Sequence, residues 1–293
     1  MKRMLLAAAA IAAPLFAGAV LGSGLGAGTA VAADQAILFG VVPQQSASRL
    51  ARVWVPLTQY LSGQLGRPIE FATAKDIPTF EACLAKGAYG IAYMNPYHYV
   101  VFHQESGYEA IARQKDKKLQ GLMVTRKDRP KTGLKDLQGA KIAFPSPAAF
   151  GASIIPRAEL RKLGIDFAPD YVKSHDSVYR AVALGLHDAG GGVRRTWDTL
   201  APEIRDQLEV FYETAPYTPH AIAVAPTLDP ALRDAVQAAL LALTAEDGDI
   251  LENLGILGFE NGKNADWDDV RTLNLDRDQT QIVDETGNQC HSG

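Results

Sequence analysis

The residues best suited to chemistry stand close together in Gly87-Ala-Tyr-Gly-Ile-Ala-Tyr-Met-Asn-Pro-Tyr-His-Tyr99. A short apolar strand, Tyr89 to Tyr93, follows a glycine that can end a helix. Asn95-Pro96 comes next, a capping residue and then the residue suited to a first helical turn. In α/β proteins the turn beyond a strand's carboxyl end receives ligands, because free helix amides point into it. This turn carries Tyr93, Asn95, Tyr97, His98 and Tyr99, more hydrogen-bonding aromatics than a structural turn needs. The competing reading is a strand-to-helix turn with core aromatics.

Other candidates sit at comparable positions. Gln44 follows the carboxyl end of the first strand, and His175 and Ser177 open a helix beside Asp176. Arg194 and Arg195 follow a glycine-rich strand, where an arginine fork suits carboxylate or phosphate; a solvated helix start is the alternative. Tyr217, Thr218 and His220 lie in a turn-rich stretch where the chain crosses back. Together these residues predict a small polar solute, an anion above all, with Arg194 compensating its charge. Catalytic signatures are absent: there is no Gly-x-Ser-x-Gly elbow, P-loop or GxGxxG, and no CxxC or HExxH metal pattern. His175, Asp176 and Ser177 are adjacent on one turn, whereas a triad converges from separate elements. No catalytic residue, metal or cofactor is expected.

The elements that must position these groups alternate. Ala36 to Val42 is a continuous apolar run, as a strand buried on both faces requires. Leu50, Trp54, Leu57, Leu61 and Leu65 mark a helix face, with Pro56 expected to kink or divide it. A strand from Pro68, a helix capped by Asp76 and the Tyr89–Tyr93 strand complete β-α-β-α-β, which implies a mainly parallel sheet. After a polar stretch at Lys127–Gly133 the order restarts. Pro43 matches Pro145, Pro56 matches Pro156, Leu65-Gly66 matches Leu163-Gly164, and Gly87 matches Gly185. Tyr93–Pro96 then correspond to Gly191–Arg194, so two like strand ends would face each other. The expected fold is α/β, a two-lobed clamshell with a mainly parallel sheet flanked by helices in each lobe. Residues 33–125 and 219–293 would form one lobe and 126–218 the other, with strands 122–125 and 221–225 linking them. The tail from Asn261, anchored by Trp267, Leu273 and Leu275, would wrap the first lobe.

The 293 residues suffice for two such lobes, and a net charge of −4 without a basic run argues against nucleic acid. Lys2 and Arg3 precede an Ala/Gly-rich run ending in Ala30-Val31-Ala32, which reads as a signal peptide, residues 1–32. A retained anchor is the alternative. The mature protein would be an exported, periplasmic monomer. Its two cysteines enter an oxidising compartment and could pair. Cys83 shares a helix face with Phe80 and Leu84, so it reads as a small buried hydrophobe, neither redox centre nor metal ligand.

Several of these segments resemble the phosphonate/phosphate/phosphite-type periplasmic solute-binding proteins of ABC transporters. The resemblance is carried by Phe39-Gly-Val-Val-Pro-Gln44, Trp54-Val-Pro-Leu-Thr-Gln-Tyr-Leu61, Gly87–Pro96, Leu137-Gln-Gly-Ala-Lys-Ile-Ala-Phe144 and Ser174-His-Asp-Ser177. It implies a binder that presents a small oxyanion to a membrane permease. The same family includes sensor-coupled relatives that bind arsenite, so a periplasmic sensor domain is the alternative partner, and an exported hydrolase a third reading. The family's hydroxyl-rich anion turn, seven residues before a proline, is here Ala149-Phe150-Gly151-Ala152. Helix amides near Phe150 and Gly151 would have to serve instead, with His175 as the family's ligand-contacting histidine. Simple alkylphosphonates are expected to bind poorly.

Overall fold

The computed structural model describes residues 35–275 and Cys290; the expected signal peptide lies outside them. Eleven strands are present among the described residues. They are β1 (Ile37–Val41), β2 (Ile69–Ala72), β3 (Ile91–Met94), β4 (Glu109–Gln114), β5 (Gly121–Arg126), β6 (Lys141–Phe144), β7 (Ala168–Tyr171), β8 (Ala189–Val193), β9 (Leu208–Glu213), β10 (Ala221–Val224) and β11 (Phe259–Asn261). They form a six-stranded sheet, β11-β4-β10-β3-β1-β2, and a five-stranded sheet, β7-β6-β8-β5-β9. Four strands of the first sheet run one way and β10 and β11 the other. In the second, only β5 is reversed.

The repeated order is visible in this topology. β2-β1-β3 in one sheet matches β7-β6-β8 in the other, each parallel and each bordered by a reversed strand. The matched glycines Gly87 and Gly185 have φ of 64° and 71° after their helices, a left-handed conformation that costs a Cβ-bearing residue.

Helix α1 (Ala47–Leu65) buries Leu50, Trp54, Leu57 and Leu61 against the first sheet, and Pro56 lies within it without dividing it. Nineteen residues with one buried face outweigh the loss of a single backbone bond. Helix α2 (Ile77–Ala85) starts at the Asp76 cap, whose carboxylate accepts from Thr79 N at 2.9 Å. Helix α3 (Pro96–Ser106) starts at Asn95, whose Oδ1 accepts from His98 N at 2.8 Å. In the second lobe α4 (Ile155–Lys162) is preceded by a π-helical turn, Phe150–Ile154, and α5 (His175–Ala183) starts at the Ser174 cap. Met123 and Val124, neighbours on β5, supply separate cores on the two faces of that sheet.

The strand Leu122–Thr125, expected to link the lobes, instead lies inside the second sheet between β8 and β9. The chain crosses through residues 115–120 and returns through residues 214–220. These two segments pair with each other: Leu119 N donates to Tyr217 O at 2.8 Å and Tyr217 N to Leu119 O at 2.9 Å. Trp267 anchors the tail, fully buried, with Nε1 donating to Pro219 O at 2.9 Å. Cys83 is buried as expected, yet it is joined to Cys290 by a disulfide across 207 residues of chain. A cysteine so bonded offers no thiolate to arsenite. Among the described residues no helix is long and apolar enough to cross a membrane.

Candidate functional site

A cavity of about 490 Å³ opens between the two sheets. Its floor comes from the ends of β1 and β3, through Gln44, Gln45 and Tyr93, and from the end of β8, through Val193, Arg194 and Arg195. Both crossing segments reach it, with Lys117, Lys118, Pro219 and His220. Glu252 to Gly255, from a helix near the tail, close another side. The carboxyl ends of parallel strands are where a doubly wound sheet leaves a crevice, because the following helices diverge there.

The inner wall is aromatic. Tyr93 stacks on His220 with ring centroids 4.8 Å apart and planes 10° apart, and meets Trp54 at 4.4 Å. The His220 Nε2 and Gln44 Nε2 atoms are 2.9 Å apart. Burial lowers the His220 pKa to about 3, helped by the Arg195 charge and by His98 and His175 nearby. The ring is therefore neutral at physiological pH. Burial raises the Tyr93 pKa, while the charge and hydrogen bond of Arg195 pull it back. Tyr93 is thus a neutral phenol able to donate.

The cations differ in availability. Arg194 is held by Glu213 in a close ion pair. Lys118 lies 3.7 Å from Asp269 and donates to Thr218 Oγ1 at 3.3 Å. Arg49 reaches the Thr199 carbonyl at 3.4 Å. Arg195, half-buried with its guanidinium 6.0 Å from the Trp54 ring centre, has no carboxylate within 4 Å among the described residues. A guanidinium withdrawn from bulk water without a counter-charge favours an anion beside it.

The profile of a protein family described as "ABC transporter, phosphonate, periplasmic substrate-binding protein" matches residues 39–267. The chain belongs to this family. Among solved structures it is similar to PhnD1 from Prochlorococcus marinus in complex with methylphosphonate, with a TM-score of 0.76 and 17% identity, covering 82% of this chain and 97% of that one. A binding protein component of an ABC phosphonate transporter from Pseudomonas aeruginosa gives 0.75 and 17%, covering 82% and 86%. A Xanthomonas citri protein bound to ATP gives 0.66 and 19%, covering 81% and 95%. These likenesses establish the two-lobed periplasmic binding protein fold.

Of the residues expected to meet the solute, Gln44, Tyr93, Arg194 and His220 line the cavity. The other seven do not. Asn95 is buried and spent on structure, capping α3 and donating Nδ2 to Ala148 O across the lobes at 3.0 Å. Tyr97 faces the core. Ser177 closes the start of α5, its N bonded to Ser174 Oγ at 3.1 Å and the two hydroxyls 2.8 Å apart. His175 is 1% exposed, with Nδ1 3.5 Å from Thr196 Oγ1, and burial lowers its pKa to about 4. Phe150 and Gly151 are buried, and Phe150 sets its ring at 88° to that of Tyr217, 5.6 Å away. Tyr217 serves the bridge between the crossing segments. Each was expected at a strand or helix end, and each is at one; the lobes meet there, so the groups are covered by protein.

Two cavity residues escaped sequence reasoning. Trp54 looked like a core position of α1, and its spacing carries no sign that the ring reaches the cleft. Arg195 stood beside Arg194 as an equal candidate. Only the acid at the end of β9 decides which of the pair is neutralised.

Proposed function

We propose that this solute-binding protein captures an oxyanion-bearing organic solute in the cavity at the ends of β1, β3 and β8, and presents it to the permease of an ABC importer. The supporting observation is Arg195, half-buried and without a carboxylate partner, beside the neutral phenol of Tyr93. A charge-assisted bond to an oxyanion satisfies the guanidinium, and the Tyr93 hydroxyl adds a neutral donor. Two of the similar structures hold phosphorus oxyanions, methylphosphonate and ATP, which agrees with this chemistry. The protein acts as an exported monomer, releases its solute unchanged and carries out no catalysis. A periplasmic sensor domain is the second reading for the partner, since it would receive the same bound form.

The test is a thermal-shift screen of the mature protein with phosphate, methylphosphonate, dicarboxylates, sugar phosphates and ATP. At least one organic oxyanion is expected to raise the melting temperature of the wild type and not of Arg195→Ala. Stabilisation that persists in Arg195→Ala contradicts the proposed anchor.

A further inference from the structure

The turn that enters α4 is sunk deep between the lobes. A Cβ on Gly121 would lie 2.0 Å from Gly151 O, and one on Gly191 would lie 1.8 Å from Ala152 O, so this turn rests directly on β5 and β8. Its apolar side chains join the core of the opposite lobe: Ala148, Ala149, Phe150 and Ile154 pack in one cluster with Tyr93, Tyr97 and Phe102. The Arg157 guanidinium donates to Pro147 O at 2.6 Å and fixes the turn from behind. Phe150 therefore stands where two facing strand ends of a binding cleft converge.

Polar groups surround it without partners. Ser153 Oγ, His175 Nε2 and His98 Nδ1 are all buried and make no hydrogen bond. Asn95 ties His98 to this turn, with its Nδ2 3.4 Å from His98 Nε2 and bonded to Ala148 O. The amides of Phe150, Gly151 and Ala152 fall in a first helical turn, where no intrahelical acceptor exists. Native proteins seldom bury several such atoms together without something else to satisfy them. A phenyl ring and a tetrahedral oxyanion have comparable bulk, but only the oxyanion can accept from these donors.

We infer that Phe150 is the specificity-determining residue of the cleft: its ring occupies an inner compartment built for a compact tetrahedral oxyanion, and leaves only the outer cavity beside Arg195 open to solute. The inference rests on the proposed binding role, and it divides one cleft into two compartments. Truncating the ring should uncover the inner donors. Isothermal titration with methylphosphonate and with phosphate tests this on wild type, Phe150→Ala and Phe150→Leu. Phe150→Ala is expected to bind at least one of them tenfold or more tightly than wild type. Phe150→Leu, which still fills the compartment, should behave as wild type. The gain should survive in Phe150→Ala/Arg195→Ala, because the inner donors do not include Arg195. A folded Phe150→Ala, shown by one cooperative melt, that binds neither anion more tightly overturns the inference. So does a wild type that already binds methylphosphonate as tightly as Phe150→Ala. If Phe150→Ala does not fold, Phe150→Val takes its place under the same criteria. Loss of the organic-anion shift in Arg195→Ala reports on the outer cavity alone, so the two readings fail separately.

Discussion

At the scale of single residues, the cleft separates into groups held neutral and one group that must be charged. Tyr93→Phe removes the phenol donor and keeps the ring against His220 and Trp54. A buried hydrogen bond to an anion contributes about 1.5–3 kcal/mol, so this variant should bind the solute about tenfold or more weakly. Its melting temperature without solute should stay near that of wild type; equal affinity in a calorimetric titration would show that the hydroxyl does not touch solute. The histidines make a second prediction. His175 and His220 titrate near 4 and 3 in the fold against about 6.5 when unfolded. Their folded values are depressed, so below pH 6.5 the unfolded chain binds more protons and stability falls with acidification. At pH 5 each costs about 2 kcal/mol relative to neutral pH. Calorimetric melts at pH 7.5 and 5.0 should differ accordingly, and the difference should shrink in His175→Gln. A flat profile would mean that these rings are hydrated or partnered.

At the scale of elements, packing is decided where backbones touch. The β8 sequence Ala189-Gly-Gly-Gly-Val193 is poor in side chains because the α4 turn and α5 press on it: Gly191 meets Ala152 O, and a Cβ on Gly192 would lie 2.1 Å from Tyr179 Oη. Gly191→Ala cannot be relieved by turning a flexible side chain, since its neighbour is backbone, and should destabilise by about 3 kcal/mol in chemical denaturation. A cost within 0.5 kcal/mol would place the turn farther from the sheet. The elements around the site were largely legible. Asn95-Pro96, Asp76 and Ser174 are local capping signals, and the offset of about one hundred residues between matching prolines and glycines exposed the repeated β-α-β-α-β order. What lay outside local signals was lost. Leu122–Thr125 is an apolar run whichever sheet takes it, and only long-range pairing assigns it to β8 and β9. For the same reason Asn95 and Ser177 could be read as ligand donors: a cap and a ligand contact need the same side chain at the same place. Whether solvent or the other lobe covers them is a tertiary fact.

At the scale of the whole molecule, two crossing segments and one disulfide tie the parts together. The Leu119–Tyr217 bridge is the place where the lobes can pivot, since the strands on either side belong to separate sheets. The Cys83–Cys290 bond closes a loop of more than two hundred residues and should stabilise by about 4 kcal/mol through the restricted unfolded chain. Denaturant melts of the oxidised protein and of Cys83→Ser/Cys290→Ser would show it, and coincident midpoints would refute it. Capture of an oxyanion-bearing solute at Arg195 is tested most directly by native mass spectrometry of the protein recovered from the periplasm without denaturation, in wild type and in Arg195→Ala. The expected result is a small-molecule adduct on the wild type that bears phosphate, phosphonate or carboxylate and is absent from Arg195→Ala. An adduct kept in full by Arg195→Ala, or one with no anionic group, would contradict it.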